Sequence, residues 1–396
     1  MDALALALAA AYAFMQLRWR GVWLATPDVK PPADADGVAW SVVIAARDEA
    51  AQLGGGGVLA QLGPGRQYGF ALGGKTGELA AGRYEVILVD DHSADATKHL
   101  ARGQEHVRVL ASPAGQIGKQ AALTRGIASA RGAWVATLDA DVAVGPDWLA
   151  GLDSTRRGAP GARAVAGPVA LGHDGSWWQR WQALDFCGMM AITAASLRGG
   201  RFAMGNGANL AFAKTAFAKV DGYAVPAGAR AAASGDDMLL LGKLLEQFGP
   251  GSVAFAKTRG AVAETPAMPD VAAFVRQRLR WSAKTTLNRQ PALTATLGVT
   301  WAFHVGLLVG PCVLLAQAAL GASGPLSAWA VAVAWAVKLV VDLALLRAAT
   351  AWFARRDLLD ASYPLQSLAH AVYVAGVGTL ALLPLDFAWK GRRHRV

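Results

Sequence analysis

Three groups of residues in this chain have the types and spacing to do chemistry. Asp139 and Asp141 stand two apart, as a hard divalent cation such as Mg²⁺ requires. Such a cation takes one or two carboxylates and completes its shell with phosphate oxygens and water. Ser234-Gly235-Asp236-Asp237 supplies a second acidic pair, just ahead of an apolar run with helical spacing over 238–247. A carboxylate there can take the proton of a hydroxyl within hydrogen-bond reach. Helix capping and the helix dipole account equally well for either Asp alone. Gln277, Arg280 and Trp281 recur at spacings of three and four and share one face of a helix beginning near Asp270. Arg280 is suited to neutralising a leaving diphosphate. Anionic lipid beside a membrane explains the neighbouring Arg276 and Arg278 without any chemistry.

One further pattern competes with these. Gly69-Phe70-Ala71-Leu72-Gly73-Gly74-Lys75-Thr76 matches the phosphate-loop spacing letter for letter. That loop works only between a buried strand and a helix whose N-terminus holds the phosphates. Gly63-Pro64-Gly65-Arg66 cannot belong to such a strand, and residues 77–83 are too few for the helix. The glycine-dense stretch 54–82 is therefore expected as a flexible loop.

The acids need elements to carry them. Trp40–Ala46 is a continuous β-branched run, as buried parallel strands are. Residues 85–89 form a second run ending at Asp90 and Asp91, 107–110 a third, and 133–138 a fourth ending at Asp139. Residues 119–130 have helical spacing and stop near Gly132. Strand, acid, helix, strand, acid describes a doubly wound α/β sheet that binds ligands beyond the carboxyl ends of its strands. Helix N-caps remain an alternative for Asp90, Asp91 and Ser93. They suit Asp139 and Asp141 less well, because 142–144 does not read as helix.

The chain has 396 residues, 54% hydrophobic and 17% charged, with a mean hydropathy of +0.30. A soluble domain carries about a quarter charged residues, so disorder, coiled coils and small disulfide scaffolds are excluded. Cys187 and Cys312 are far apart in unlike surroundings, which argues against a disulfide framework or a cysteine metal cluster. The apolar excess lies at the ends. Residues 290–337 contain no Asp, Glu, Lys or Arg and are divided near 321–325, and 361–385 are likewise uncharged. Each piece is long enough for a span of about 20 residues. Residues 3–17 are uncharged up to Arg18 and Arg20, with no basic segment ahead of them, and predict an anchor or interfacial helix rather than a cleaved signal.

The net charge of +10 collects at these boundaries rather than across the middle, which disfavours nucleic acid as a partner. Arg18, Arg20, Arg276, Arg278, Arg280, Lys284 and Arg289 flank the spans on the domain side and predict a cytoplasmic domain at the cell membrane. The tail residues Lys390, Arg392, Arg393 and Arg395 break the rule on a simple count of four spans. The expected divisions are an N-terminal membrane helix or anchor over 1–25 and a globular domain over 38–265. An amphipathic interface helix over 266–289, a transmembrane region over 290–388 and a basic tail over 389–396 follow.

In order along the chain stand Ala45-Ala46-Arg47-Asp48-Glu49, Val89-Asp90-Asp91-His92-Ser93, Gly118-Lys119, Asp139-Ala140-Asp141, Asn206-Gly207-Ala208-Asn209, Gly235-Asp236-Asp237 and Gln277-x-x-Arg280-Trp281. This series resembles the membrane-bound family 2 glycosyltransferases, which have the GT-A fold and include relatives of cellulose synthase and ceramide glucosyltransferase. The resemblance covers residues 40–281. It implies a Rossmann-like, mostly parallel sheet with one N-terminal and about three C-terminal membrane helices. It implies a base pocket lined by Ala45, Arg47, Glu49 and Asp91, with Lys119 close by. Asp139 and Asp141 would hold the nucleotide-sugar (UDP- or GDP-linked) and its Mg²⁺ or Mn²⁺, with Asp141 the nearer metal ligand. Asp237 would be the base, Asp236 would orient it, and the loop 206–209 would border the acceptor. Gln277, Arg280 and Trp281 would grip the diphosphate and the acceptor. Between Glu49 and Tyr84 the family has a regular helix, and this chain has the glycine-dense stretch instead.

The surroundings argue for the acceptor. Four apolar segments are few for the channel of a processive polysaccharide synthase, so a lipid acceptor is expected, with a synthase subunit or a non-catalytic sugar-nucleotide-binding scaffold as alternatives. Lys338 and Asp342, at spacing four, are expected to pair, and His304 and His370 to pack.

Overall fold

The computed structural model describes residues 1–30, 38–75, 78–80, 82–224, 236–282, 290–321, 324, 326–383, 386–389 and 392–395. Thr76, Ser234, Gly235, Lys284, Arg289, Lys390 and the side chains of Asp236, Arg392, Arg393 and Arg395 lie outside the described residues. The first half of the chain runs α1 Asp2–Ala25, β1 Trp40–Ala46, α2 Ala50–Leu53, α3 Val58–Gln61, β2 Ala71–Leu72, β3 Arg83–Asp90, α4 Thr97–Arg102, β4 Val107–Ala111 and α5 Lys119–Ser129. Then follow β5 Trp134–Asp139, β6 Ala143–Val144, α6 Trp148–Gly158, β7 Ala164–Ala166, β8 Val169–Gly172 and α7 Trp177–Arg198. The remaining helices and strands are β9 Asn209–Ala213, α8 Lys214–Lys219, α9 Asp236–Phe248, β10 Val253–Phe255, β11 Ala263–Pro266, α10 Val271–Ser282, α11 Pro291–Ala319, α12 Ala328–Trp352, α13 Tyr363–Leu380 and the antiparallel pair β12 Asp386–Trp389 and β13 Arg392–Arg395.

These elements form two units. One comprises Thr26–Gly172 and Ser196–Ala267, the other Met1–Ala25, His173–Ala195 and Met268–Val396. The first is α/β. Its main sheet has the order β10-β7-β9-β5-β1-β3, with β2 and β4 both pairing with β3. All pairings are parallel except those of β9 with β5 and β7. A small second sheet, β6-β11-β8, stands beside it.

The central strand is apolar throughout because both of its faces are covered. Trp40, Val42 and Ile44 point into a core with Leu53, Leu59, Trp148 and Leu152. Val43 points the other way, onto α5. Each such buried aliphatic side chain stabilises by about 1.5–3 kcal/mol relative to exposure. The glycine-dense stretch is not simply a loop: Val58, Leu59, Leu62 and Phe70 all enter the core. Gln67, 2% exposed, ties it down by donating to Gln61 O and Gly145 O and accepting from Leu149 N–H. No strand leads directly into Gly69, and no helix follows in the described residues up to 80, so the phosphate-loop spacing lacks its scaffold.

The second unit holds the apolar helices. Among the described residues, α11 (29 residues, mean hydropathy 1.9) and α12 (25 residues, 2.0) are long and apolar enough to cross a membrane. Pro291 opens α11 at a position where its missing N–H has no partner to lose. Ser327 caps α12 by accepting Ala330 N–H. α1 packs along both of these helices: Tyr12 stacks on Phe303 with ring centroids 4.4 Å apart, and Trp23 meets Trp352 edge-on at 5.4 Å. α13 packs on α11, where Trp301 Nε1 donates to Thr379 Oγ1. Lys338 and Asp342 do pair, at 2.5 Å.

One close contact sets the seat of α5. A Cβ on Gly126 would lie 2.4 Å from Val43 Cγ1 and 3.0 Å from Val89 Cγ2. Both neighbours are β-branched and stiff at χ1. Gly126→Val should therefore lower stability by about 2 kcal/mol, overpacking outweighing the small gain in helix propensity. The fall would be read as a lower thermal unfolding midpoint in detergent.

Candidate active site

The parallel register sets the site. Ala46 of β1 pairs with Asp90, and Ala45 pairs with Asp139, so three strands end level. Arg47, Asp48 and Glu49, Asp91, and Asp139 with Asp141 thus leave the sheet at one carboxyl edge. The loops after β1 and β3 are laced together there. Asp48 N–H donates to Ser93 Oγ, and Asp48 Oδ1 accepts Ala94 N–H at 2.8 Å. Glu49 N–H donates to Thr97 Oγ1 at 2.7 Å. Asp48 and His92 hold φ of 54° and 58°, a left-handed conformation uncommon without glycine and a mark of loops fixed by their surroundings. N-capping by Asp90, Asp91 or Ser93 is not what these residues do, because α4 starts later, at Thr97.

Asp91, 4% exposed, accepts Gly118 N–H with both oxygens, at 2.9 and 3.0 Å. Gly118 has a φ of 113°, open in practice only to glycine. The pair fixes the entry to α5, whose first residue, Lys119, forms an ion pair with Asp139. Asp141 reaches solvent, yet protein atoms crowd it. That partial desolvation, reinforced by the charges of Asp139 and Glu49 and opposed by Lys119, pushes its carboxyl up to about 6. Thr265 Oγ1 lies 3.5 Å from its Oδ2.

Asp237 arrives from the first turn of α9. It is 9% exposed; its Oδ2 accepts Gly207 N–H at 2.9 Å, and its Oδ1 accepts Met238 N–H at 2.8 Å. A Cβ built on Gly207 would lie 3.7 Å from both Asp237 Cβ and Lys119 Nζ. One backbone position therefore brings the second acidic group beside the first. Behind it, the Thr137 hydroxyl lies 3.2 Å from the carbonyls of Gly207 and Leu210.

Asn209, at the other end of that loop, is taken up by packing within the fold. It is fully buried, donates to Pro168 O and Ala261 O at 2.8 Å, and accepts Trp148 Nε1–H at 3.0 Å. It is a strut between β9, α6 and the chain near β8 and β11.

Gln277, Arg280 and Trp281 lie on α10, in the unit of apolar helices, all partly exposed. Arg278 corrects the lipid-facing expectation. It is 2% exposed, its Nη2 lies 3.4 Å from Asp185 Oδ2, and its guanidinium stacks on Phe274, Trp281 and Tyr373. Arg276, by contrast, is exposed. Nothing in the local sequence separates the two; only the Asp185 of a distant helix does.

Among the described residues no three His, Cys, Asp or Glu side chains are grouped to hold a metal unaided. The oxygen pair Asp139 and Asp141, with Glu49 adding negative charge, fits a Mg²⁺ or Mn²⁺ ion that takes its remaining ligands from phosphate and water. The donor set does not suit a closed zinc site.

The chain matches the profile of glycosyl transferase family group 2 over residues 134–352, more than half its length, and that of glycosyl transferase family 2 over residues 78–186. It belongs to the family 2 glycosyltransferases, and it is a glycosyltransferase. Its fold is GT-A-like. It is similar to a mannosyltransferase from Pyrobaculum calidifontis solved with GDP-Man and Mn²⁺, with 18% identity, coverage of 94% of this chain and 99% of that one, and a TM-score of 0.55. It also shows a weaker likeness to glucosyl-3-phosphoglycerate synthase from Mycobacterium tuberculosis, with 17% identity, coverage of 64% of this chain and 81% of that one, and a TM-score of 0.43. Succinoglycan biosynthesis protein ExoO of Rhizobium meliloti (strain 1021) is 45% identical over 67 residues, which are 16% of this chain and 19% of that relative's length.

Two outcomes follow from the geometry. Asn209→Ala should lower stability by about 3 kcal/mol, since three buried polar groups lose their partner. The Michaelis constant of acceptor should stay as it is in the folded fraction. Asp141 has a carboxyl raised from 3.8 to about 6, so its charge weakens the metal-free fold progressively between those values and fully above them. Asp141→Asn should then raise the thermal midpoint of the metal-free chain at pH 7.5 and leave it unchanged below pH 4.

Proposed function

We propose that this glycosyltransferase moves one sugar from a nucleotide-sugar, UDP- or GDP-linked, to a hydroxyl of a membrane lipid, with inversion at the anomeric carbon. The observation that carries this reading is the convergence at Gly207, which places the Asp237 carboxylate beside the Lys119–Asp139 pair. A donor-side cation site and a hydroxyl-side base are thereby neighbours on one sheet edge.

The residues then divide the work. Ala45, Arg47, Glu49 and Asp91 border the nucleoside, and Asp91 also sets Lys119. Asp139 and Asp141 hold Mg²⁺ or Mn²⁺ against the diphosphate; when bound, the cation neutralises charge developing on the leaving group. Asp237 accepts the hydroxyl proton as the acceptor oxygen bonds to the anomeric carbon, and the bond from that carbon to the diphosphate breaks. Backbone N–H groups on both of its oxygens keep the carboxylate aimed. Asp236 orients that base. Gln277, Arg280 and Trp281 contact the diphosphate and the acceptor.

The spans α11 and α12 support a chain integral to the cell membrane, with α1 and α13 completing the anchor. The basic flanks support a cytoplasmic location for the globular unit. The short similarity to a succinoglycan biosynthesis protein supports a second reading, in which the acceptor is a growing saccharide.

Asp237→Asn should lower kcat by about 10²–10⁴ while donor binding persists; undiminished turnover rejects the base. Mass spectrometry of products formed with candidate donors, metal and lipid extract separates the acceptors. A lipid heavier by one sugar supports the first reading, and a saccharide ladder the second.

A further inference from the structure

Within the unit of apolar helices, one run of polar side chains crosses five of them. Gln16 Nε2 donates to the Tyr12 hydroxyl at 2.7 Å, which donates to Asp342 Oδ1 at 2.6 Å. Lys338 Nζ donates to Asp342 Oδ2 at 2.5 Å and to His370 Nδ1 at 3.2 Å. His370 Nε2 stands 3.5 Å from Asp185 Oδ1, and Asp185 Oδ2 stands 3.4 Å from Arg278 Nη2. The run starts on α1, passes through α12, α13 and α7, and ends on α10.

The donors set its proton order. An ammonium can only donate, so His370 Nδ1 is the acceptor and the ring proton sits on Nε2, facing Asp185. Two Asp, one Lys and one Arg then balance across a neutral imidazole. Ionisable groups among apolar helices are expensive and are retained where they serve function. Helix anchoring needs no more than the Lys338–Asp342 pair, which is complete within α12. The run nevertheless continues to Arg278, whose Nε and Nη1 have no hydrogen-bond partner among the described residues. The orientation of that guanidinium thus rests on Asp185 and on aromatic faces, with its central carbon 4.2 Å from the Trp281 ring and 4.6 Å from that of Phe274.

We propose that Asp185 is a positioning residue for sugar transfer: through Arg278 it fixes the indole of Trp281 and so sets the seat of the acceptor. This rests on the reading of Trp281 as an acceptor contact. The geometry makes Arg278 a lever with one ionic fulcrum. Without the Asp185 charge the guanidinium keeps its stacking but loses the direction of its ion pair, and the indole above it is no longer held at one angle.

The test uses the full chain in detergent, with the acceptor that the wild type uses. Asp185→Asn should raise the Michaelis constant for acceptor about tenfold, the scale on which a displaced contact acts. That for donor, and kcat, should stay within about twofold. In a Trp281→Phe background Asp185→Asn should add nothing further, and Asp185→Glu should restore most of the affinity. Arg278→Lys keeps the charge without the planar stack and should reproduce the effect, which covers failure of Asp185→Asn to fold. Fluorine spectra of 5-fluorotryptophan-labelled chain give a readout free of activity: the line lost in Trp281→Phe should shift in Asp185→Asn. An unmoved line, or a lower unfolding midpoint with unchanged affinity for acceptor, overturns the inference. A shifted line together with a Trp281→Phe chain of normal acceptor affinity overturns the acceptor reading of Trp281 instead.

Discussion

Everything at the sheet edge depends on β1 being hydrogen-bonded on both sides to parallel neighbours that end at its own level. Ala45 opposite Asp139 and Ala46 opposite Asp90 leave the following acids nowhere to go except one narrow rim. A slip of one residue would exchange the buried and outward sides of the strand, so the apolar alternation of Val42, Val43 and Ile44 between two cores locks the register. The price of that alignment is crowded negative charge. Lys119 answers Asp139, and Gly118 N–H answers Asp91. Asp141 is left with its carboxyl raised, and that residue of uncompensated charge is what a cation can relieve.

Much of this is legible in the sequence, for a definite reason. Buried parallel strands are continuous apolar runs, and β1 matches its sequence reading at both ends. The acids at 91, 139 and 237 follow such runs or precede a helix, so order along the chain already implied shared location. What stayed hidden depends on partners distant in sequence. Asn209 reads as part of a polar loop until Pro168, Ala261 and Trp148 close around it. Arg278 and Arg276 are indistinguishable as juxtamembrane cations until Asp185 draws one of them inside. The stretch 54–82 read as a flexible loop because glycine masks its few apolar residues, yet Val58, Leu59, Leu62 and Phe70 fill the space beside β1 that a regular helix would otherwise fill. The Lys338–Asp342 pair was readable because it is local at spacing four; its continuation through His370 was not, because it leaves the helix.

The two units handle charge by opposite rules, and their surroundings explain why. In the α/β unit the acids at the rim are allowed to remain in excess, because water and a mobile cation are at hand. In the helical unit no such supply exists, so Asp185, Asp342, Lys338 and Arg278 are matched one for one across His370. A matched network cannot lose one member without stranding another. It therefore transmits orientation well and tolerates little variation, which suits the positioning role proposed for Asp185. An unmatched rim has the reverse properties: it is incomplete alone, it binds what completes it, and it lets that ligand go when the balance of charge changes. On the proposed reading, transfer between a water-soluble donor and a lipid calls on both behaviours in one chain, the loose one for a nucleotide that enters and leaves, and the rigid one for seating the acceptor.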